Sequence, residues 1–176
     1  MKFTAAPIAG AFVVDIERID DGRGFFARTF CRDEFAARGL RSSFVQCNLS
    51  SNPRKGTLRG MHLQAKPHEE AKLVCCTRGA VYDVIVDLRR ESSTFRQWAA
   101  FELSAQNRRM LYVPEGLAHG FQALEDHTDL FYLMSESYQE DLARGVRWND
   151  PAFAIRWPLS APILSQRDAT YPDFER

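Results

Sequence analysis

Hydrophobic and polar residues alternate with period two along most of this chain, in short runs cut by turn residues. From Val81 to Leu88, residues Tyr82, Val84, Val86 and Leu88 share one face and Asp83 and Asp87 the other, which predicts a half-buried strand. Comparable runs near residues 12 to 19, 25 to 30, 44 to 49, 57 to 64, 71 to 78, 96 to 103, 109 to 113, 120 to 124 and 129 to 138 predict further short strands. Many short strands in one chain read as an all-β sandwich or barrel. Helical signal is thin. Asp33-Glu34-Phe35-Ala36-Ala37-Arg38-Gly39 has an acidic first turn, a basic last turn and a terminating glycine, which suits one short peripheral helix. Beyond Asn149-Asp150-Pro151 and Trp157-Pro158 the periodicity weakens, and the C-terminal region reads as loop with short turns.

Length changes the picture little: 176 residues suit one domain, residues 1–176, with a core that needs no disulfide or metal staple. Charge excludes more. Lys plus Arg number 23 and Asp plus Glu 23, so broad electrostatic capture of nucleic acid or of a membrane surface is disfavoured, while a local basic site for a phosphorylated small molecule stays open. Neither a run of about 18 apolar residues nor a basic-then-apolar leader occurs, and the expectation is a soluble, cytoplasmic protein.

The cysteines Cys31, Cys47, Cys75 and Cys76 have no C-x-x-C spacing, and the adjacent pair points to opposite faces of one strand. They read as reduced, semi-buried thiols. Of the histidines, His127 lies in a Glu125-Asp126-His127-Thr128 turn and His68 follows Lys66-Pro67 in a loop. His62 and His119 instead sit beside glycines in apolar, strand-like segments, where either could be a hydrogen-bonded structural residue or a functional one.

Two segments favour function. Gly60-Met61-His62-Leu63-Gln64 with Gly79 after it, and Pro114-Glu115-Gly116-Leu117-Ala118-His119, resemble the two motifs of the cupin superfamily. Metal-binding cupins place several imidazoles on one ion, and Gln64 stands where the second histidine of the first motif would be, which weakens a metal reading whose candidate ligands are His62, Glu69 and His119. A wider ordered set is more specific: Arg23-Gly24-Phe25-Phe26, Leu58-Arg59-Gly60-Met61-His62-Leu63-Gln64, Ala71-Lys72-Leu73-Val74, Pro114-Glu115-Gly116 with His119-Gly120-Phe121, and Trp148-Asn149-Asp150-Pro151. Together these resemble the dTDP-4-dehydrorhamnose 3,5-epimerase family over nearly the whole chain.

That resemblance implies a double-stranded β-helix (jelly-roll cupin), a homodimer, and no metal or redox cofactor. The implied reaction inverts the carbons flanking the C4 ketone of dTDP-4-keto-6-deoxy-D-glucose to give dTDP-4-keto-L-rhamnose. The family's base falls on His62, and its carboxylate partner falls on Asp168 of Ser165-Gln166-Arg167-Asp168. Its acid falls on Tyr132, and its lysine near the ketone oxygen on Lys72. Arg23 and Phe26 would reach across the dimer to the nucleotide, Gln46 and Asn48 would meet the nucleoside, and Arg59 and His119 would lie near the diphosphate or sugar. Arginine suits phosphate because its planar fork donates two hydrogen bonds at once.

The residue types fit the chemistry independently. Removing a proton α to a ketone leaves an enolate, which needs positive charge where its own charge develops. A histidine oriented by an aspartate can take that proton near neutral pH, and a tyrosine can return one to the opposite face. On a regular strand Leu58, Gly60, His62 and Gln64 share a face and Arg59 points away, so Arg59 lines the same pocket only if a bulge intervenes at Gly60. Leu130, Tyr132, Met134, Glu136 and Tyr138 share one parity, which lets Tyr132 and Tyr138 reach one cavity.

Several positions depart from the family's common residues: Arg28 stands for Glu, Leu49 for His, Leu63 for an aromatic and Cys75 for Arg. They leave room for an enzyme that inverts only C3 or only C5 of a related keto-deoxy sugar nucleotide. A metal-dependent cupin enzyme and a non-catalytic sugar-nucleotide binding module are the other classes the sequence brings forward. The joint presence of His62, Lys72, Tyr132 and Asp168 speaks against the binding module, since binding requires neither base nor acid.

Overall fold

The structure, a computed structural model, describes residues 1–174. Its strands are β1 (Lys2–Ala5), β2 (Phe12–Asp15), β3 (Arg18–Asp21), β4 (Gly24–Ala27), β5 (Gln46–Asn52), β6 (Leu58–Gln64), β7 (Lys72–Arg78), β8 (Ala80–Asp87), β9 (Trp98–Ser104), β10 (Met110–Val113), β11 (Leu117–Ala123), β12 (Thr128–Met134) and β13 (Ala143–Gly145). Two short helices, α1 (Arg32–Ala36) and α2 (Gln166–Ala169), lie at the periphery. A six-stranded sheet runs β1-β2-β10-β7-β12-β5 and a five-stranded sheet runs β13-β6-β11-β8-β9. Both are antiparallel throughout, and the chain alternates between the sheets from β5 to β8 and again from β9 to β13, as in a jelly roll. β3 and β4 form a separate hairpin.

Three apolar layers hold this frame together. Val74, Cys76, Leu111, Val113 and Leu130 of the larger sheet meet Val81, Ile85, Leu103, Leu117 and Phe121 of the smaller one between the sheets. Phe30, Phe35 and Phe44, from α1 and its flanks, cover the outer face of the larger sheet at Leu73, Met110 and Tyr112. Phe153, Ile155, Trp157 and Phe174 cover the outer face of the smaller sheet at Met61, Val84, Val86 and Ala118.

That last layer corrects the reading of β8 as half-buried. The irregular C-terminal segment packs on the Tyr82, Val84 and Val86 face, while Asp83 and Asp87 point inward and are themselves fully buried. Each carboxylate has partners that offset its desolvation. Asp83 faces His119, and Asp87 accepts from Arg89, Ser92 and Thr94. The run near 12 to 19 is two strands, because the chain leaves the large sheet after Asp15 to build the hairpin. No helix among the described residues is long and apolar enough to cross a membrane.

Candidate active site

Between the two sheets a cavity of about 440 Å³ opens, with β6 and β11 on one wall and β7 and β12 on the other. His62, Lys72, Tyr132, Arg59, His119 and Tyr138 all line it.

His62 owes its place to an irregularity in β6. His119 pairs with His62, but Phe121 pairs with Arg59, so one residue of β11 spans two of β6. This bulge puts Arg59 and His62 on the same side, as the sequence required if both were to meet one ligand. Gly60 makes it possible: its φ is +137°, and a Cβ there would lie 2.5 Å from the Gly120 Cα. Behind His62, α2 delivers Asp168. Ser165 caps that helix by accepting from the Asp168 N–H, and the Asp168 carboxylate is 2.7 Å from His62 Nε2 and 3.3 Å from the Gly60 N–H. Burial acts to raise the Asp168 pKa, but the hydrogen bonds from His62, Gly60 and Ser165 outweigh it and hold the carboxyl below its usual range. An ionised carboxylate only accepts, so His62 Nε2 carries the proton and Nδ1 is left with the lone pair toward the cavity.

The facing wall carries the other groups. Tyr132 of β12 packs its ring against the central core, and burial raises its phenol pKa, with the Arg59 charge acting in the other direction. It is therefore a neutral hydroxyl, able to donate. Lys72 of β7 is almost buried. Its Nζ is 2.9 Å from Glu70 Oε1 and donates to the His62 carbonyl at 3.3 Å. Glu70 also accepts from the Gln64 N–H. The sequence reading missed Glu70, although an acidic residue two places before a cavity lysine on the same strand parity was the available signal. It also missed Asp83, which accepts from His119 Nε2 at 3.0 Å through both oxygens and aims that ring as Asp168 aims His62.

Tyr138 reaches the cavity rim from the loop after β12, which ends at Met134, so strand parity with Tyr132 does not place it, and Glu136, of the same parity, falls in another depression beside Glu115 and Tyr112. Arg144 and Arg167, not singled out from the sequence, also line the cavity. Gln46 and Asn48 of β5 lie on the inner face, linked to each other and to the Met134 sulfur, beside the cavity rather than in its wall. Arg23 and Phe26 are on the exposed β3–β4 hairpin. Arg23 pairs with Asp21, and neither lines the cavity within one chain. Glu69 falls elsewhere, in a separate depression beside Glu115 and Tyr112, so His62, Glu69 and His119 do not converge on one point. Gln64, in the position of the missing histidine, spends its amide on His68, Ser137 and Gln139 backbone groups. Of the family departures, Leu63 and Leu49 line the cavity and Arg28 is tied to Glu34. Cys75 is half-buried under Phe131, its thiol pKa raised by burial.

An imidazole held by a carboxylate, a hydroxyl and an ammonium on opposite walls, and several arginines at the opening define a jelly-roll enzyme of the acid–base isomerase class, built for an anionic ligand. Comparison with known proteins narrows that class. The family model for dTDP-4-dehydrorhamnose 3,5-epimerase matches residues 5–176, and the chain belongs to that family. It is 40% identical over 169 residues to the dTDP-4-dehydrorhamnose 3,5-epimerase of Shigella flexneri, covering 96% of this chain and 93% of that one. The crystal structure of the Bacillus anthracis enzyme with TDP and pyrophosphate bound superposes with a TM-score of 0.95 at 42% identity, covering 98% of this chain and 99% of that one. The Legionella pneumophila enzyme in complex with dTDP-4-keto-L-rhamnose gives a TM-score of 0.89 at 35% identity, over 96% and 89% of the two chains.

Proposed function

We propose that this enzyme inverts C3 and C5 of dTDP-4-keto-6-deoxy-D-glucose, giving dTDP-4-keto-L-rhamnose for deoxysugar biosynthesis. The observation that carries the reading is the placement of His62 with Asp168 on one wall of a single cavity and of Tyr132 with Lys72 on the other. His62 Nδ1 takes the proton from the carbon α to the C4 ketone, and the bonding pair moves to form the enolate. Its oxygen develops negative charge that the Lys72 ammonium stabilises. Tyr132 then protonates that carbon from the opposite face, the ketone re-forms, and the configuration is inverted. The tyrosinate regains its proton and His62 releases its own, and the sequence repeats at the second carbon. Asp168 holds His62 in the tautomer the step requires.

Arg59 and His119 serve the diphosphate and sugar, Tyr138 meets the substrate at the cavity rim, and Gln46 and Asn48 serve the nucleoside. The hairpin bearing Arg23 and Phe26 is open on one chain, with Phe26 at 72% exposure, which supports a homodimer in which each hairpin completes its partner's site. Incubation with dTDP-4-keto-6-deoxy-D-glucose in deuterated water, followed by NMR, tests the reading. Deuterium at both C3 and C5 of a product with both centres inverted is expected. Label and inversion at one carbon alone would instead make it a mono-epimerase.

A further inference from the structure

Among the cavity arginines, Arg144 donates to the Asp141 and Ala143 carbonyls and Arg167 to the Tyr171 hydroxyl, and what sets Arg59 apart is that its neutral anchor is a fully buried side chain. Arg23, Arg28 and Lys72 each spend charge on a carboxylate, on Asp21, Glu34 and Glu70 respectively. Arg59 is held by neutral acceptors. Its Nε donates to Asn52 Oδ1 at 2.9 Å, and one terminal nitrogen donates to the Ser51 carbonyl at 3.4 Å. Asn52 is fully buried at the end of β5, and its own Nδ2 donates to the Ser50 and Thr128 carbonyls, at 3.1 Å each. The amide cannot turn without breaking both bonds, so its oxygen is fixed toward Arg59.

We infer that Asn52 is a positioning residue for nucleotide binding, which aims the Arg59 guanidinium at the diphosphate without neutralising it. The inference rests on the proposed role of Arg59. A carboxylate at this point would also orient the arginine but would compete with phosphate for its charge. An apolar residue would leave a long side chain to be ordered by the ligand, at a cost to affinity. Anchoring through Nε and one proton of a terminal nitrogen uses one side of the guanidinium and leaves its end-on edge, with one proton on each terminal nitrogen, for a bidentate anion.

The test is calorimetric titration with dTDP on the wild type, Asn52→Ala, Arg59→Ala and the double variant, with steady-state kinetics on the same proteins. Asn52→Ala is expected to bind dTDP about 3- to 10-fold more weakly, the scale of ordering one long side chain. KM should rise in step and kcat should stay within about twofold, because ground and transition states share the diphosphate contact. In the Arg59→Ala background the Asn52→Ala loss should vanish. Wild-type affinity in Asn52→Ala, or an equal loss with and without Arg59, overturns the inference. Unchanged dTDP affinity in Arg59→Ala refutes the diphosphate role of Arg59 itself, a result distinguishable from the other two. Should Asn52→Ala fail to fold, Asn52→Asp decides, since it keeps an acceptor for Arg59 while losing both donors to the Ser50 and Thr128 carbonyls. A lower melting temperature and, because the carboxylate competes for the Arg59 charge, dTDP binding weaker than wild type are expected, and wild-type affinity overturns the inference.

Discussion

Replacing Asp168 with Asn tests the dyad while leaving its shape intact. The carboxylate offers a different oxygen to each of two groups beside it, His62 Nε2–H at 2.7 Å and the Gly60 N–H at 3.3 Å. An amide has one oxygen to offer. If the oxygen faces Gly60, the NH₂ faces His62, which must then present a lone pair at Nε2 and carry its proton on Nδ1, the nitrogen needed as base. If the oxygen faces His62, the NH₂ opposes the Gly60 N–H, and the charge that stabilises the imidazolium is gone. Hydrogen bonds to charged groups are worth about 1.5 to 3 kcal/mol. At about 1.4 kcal/mol per tenfold in rate, that range predicts a kcat about 10- to 150-fold lower. Asp168 is buried behind the imidazole and does not line the cavity, so KM should stay within about twofold of wild type. Deuterium wash-in at C3 and C5, followed by NMR under saturating substrate, measures the loss directly. A kcat within about threefold of wild type, or a loss confined to KM, would refute the dyad as the source of the base.

Other substitutions probe the facing wall and the frame. Tyr132→Phe keeps the ring in its packed place and removes the hydroxyl, so deuterium exchange should survive with retained configuration at one carbon or more while inversion falls about 10²- to 10⁴-fold. Equal losses of exchange and inversion at both carbons would transfer the acid role to Tyr138. Lys72→Met should lower kcat about 10²- to 10³-fold with affinity for dTDP less affected, and unchanged kcat with a large rise in KM would place Lys72 on the diphosphate instead. Asp87 reports on the frame. Burial acts to raise its pKa, yet hydrogen bonds from Arg89, Ser92 and Thr94 lower it to about 2, below the ordinary 3.8. Its stabilisation, about 2 kcal/mol, is therefore complete above about pH 4 and lost as the pH falls toward 2. The melting-temperature gap between wild type and Asp87→Asn should be widest near neutral pH and narrow below pH 4, and a gap constant down to pH 2 would contradict this.

Period-two patterning located most strands because alternate residues of β7 and β12 face the apolar layer between the sheets and a half-exposed or covered surface. It failed where tertiary cover overrode the pattern. β8 alternates apolar and acidic residues, yet both faces are buried, because a C-terminal segment with no periodicity of its own supplies Phe153, Ile155 and Trp157. β1 escaped notice because its four residues are mostly exposed and gain order only from pairing with β2. At the cavity, the lining residues His62, Lys72 and Tyr132 and the distant Asp168 behind them stood in recognisable motifs, so their convergence was legible. Asp83 and Asn52 were not, because each acts on a side chain of a different strand, and that adjacency exists only once β11 lies beside β8 and the end of β5 meets Arg59 of β6, whereas Glu70, two residues before Lys72, carried a local signal that strand patterning does not use.

The same adjacency explains how a chain of zero formal net charge presents an anion site. Arg59, Arg144 and Arg167 line the cavity with Lys72, while the acidic groups around it are spent locally. Asp168 and Asp83 sit behind the histidines they orient, and Glu70 is bonded to Lys72 and to the Gln64 N–H. Placed one layer back, as Asp168 and Asp83 are, a carboxylate fixes a ring without facing an anion in the cavity, and Glu70, which does line the cavity, has its charge offset by Lys72. Placed in front, an unpaired carboxylate would repel that anion across a few ångströms of low-dielectric space. Where the arginine itself must meet phosphate, even the orienting acceptor is neutral, as at Asn52. With Asp168 and Asp83 behind the histidines, Glu70 paired with Lys72 and three arginines in front, one small cavity suits the proposed binding of a dianionic linkage and removal of a proton from the sugar attached to it.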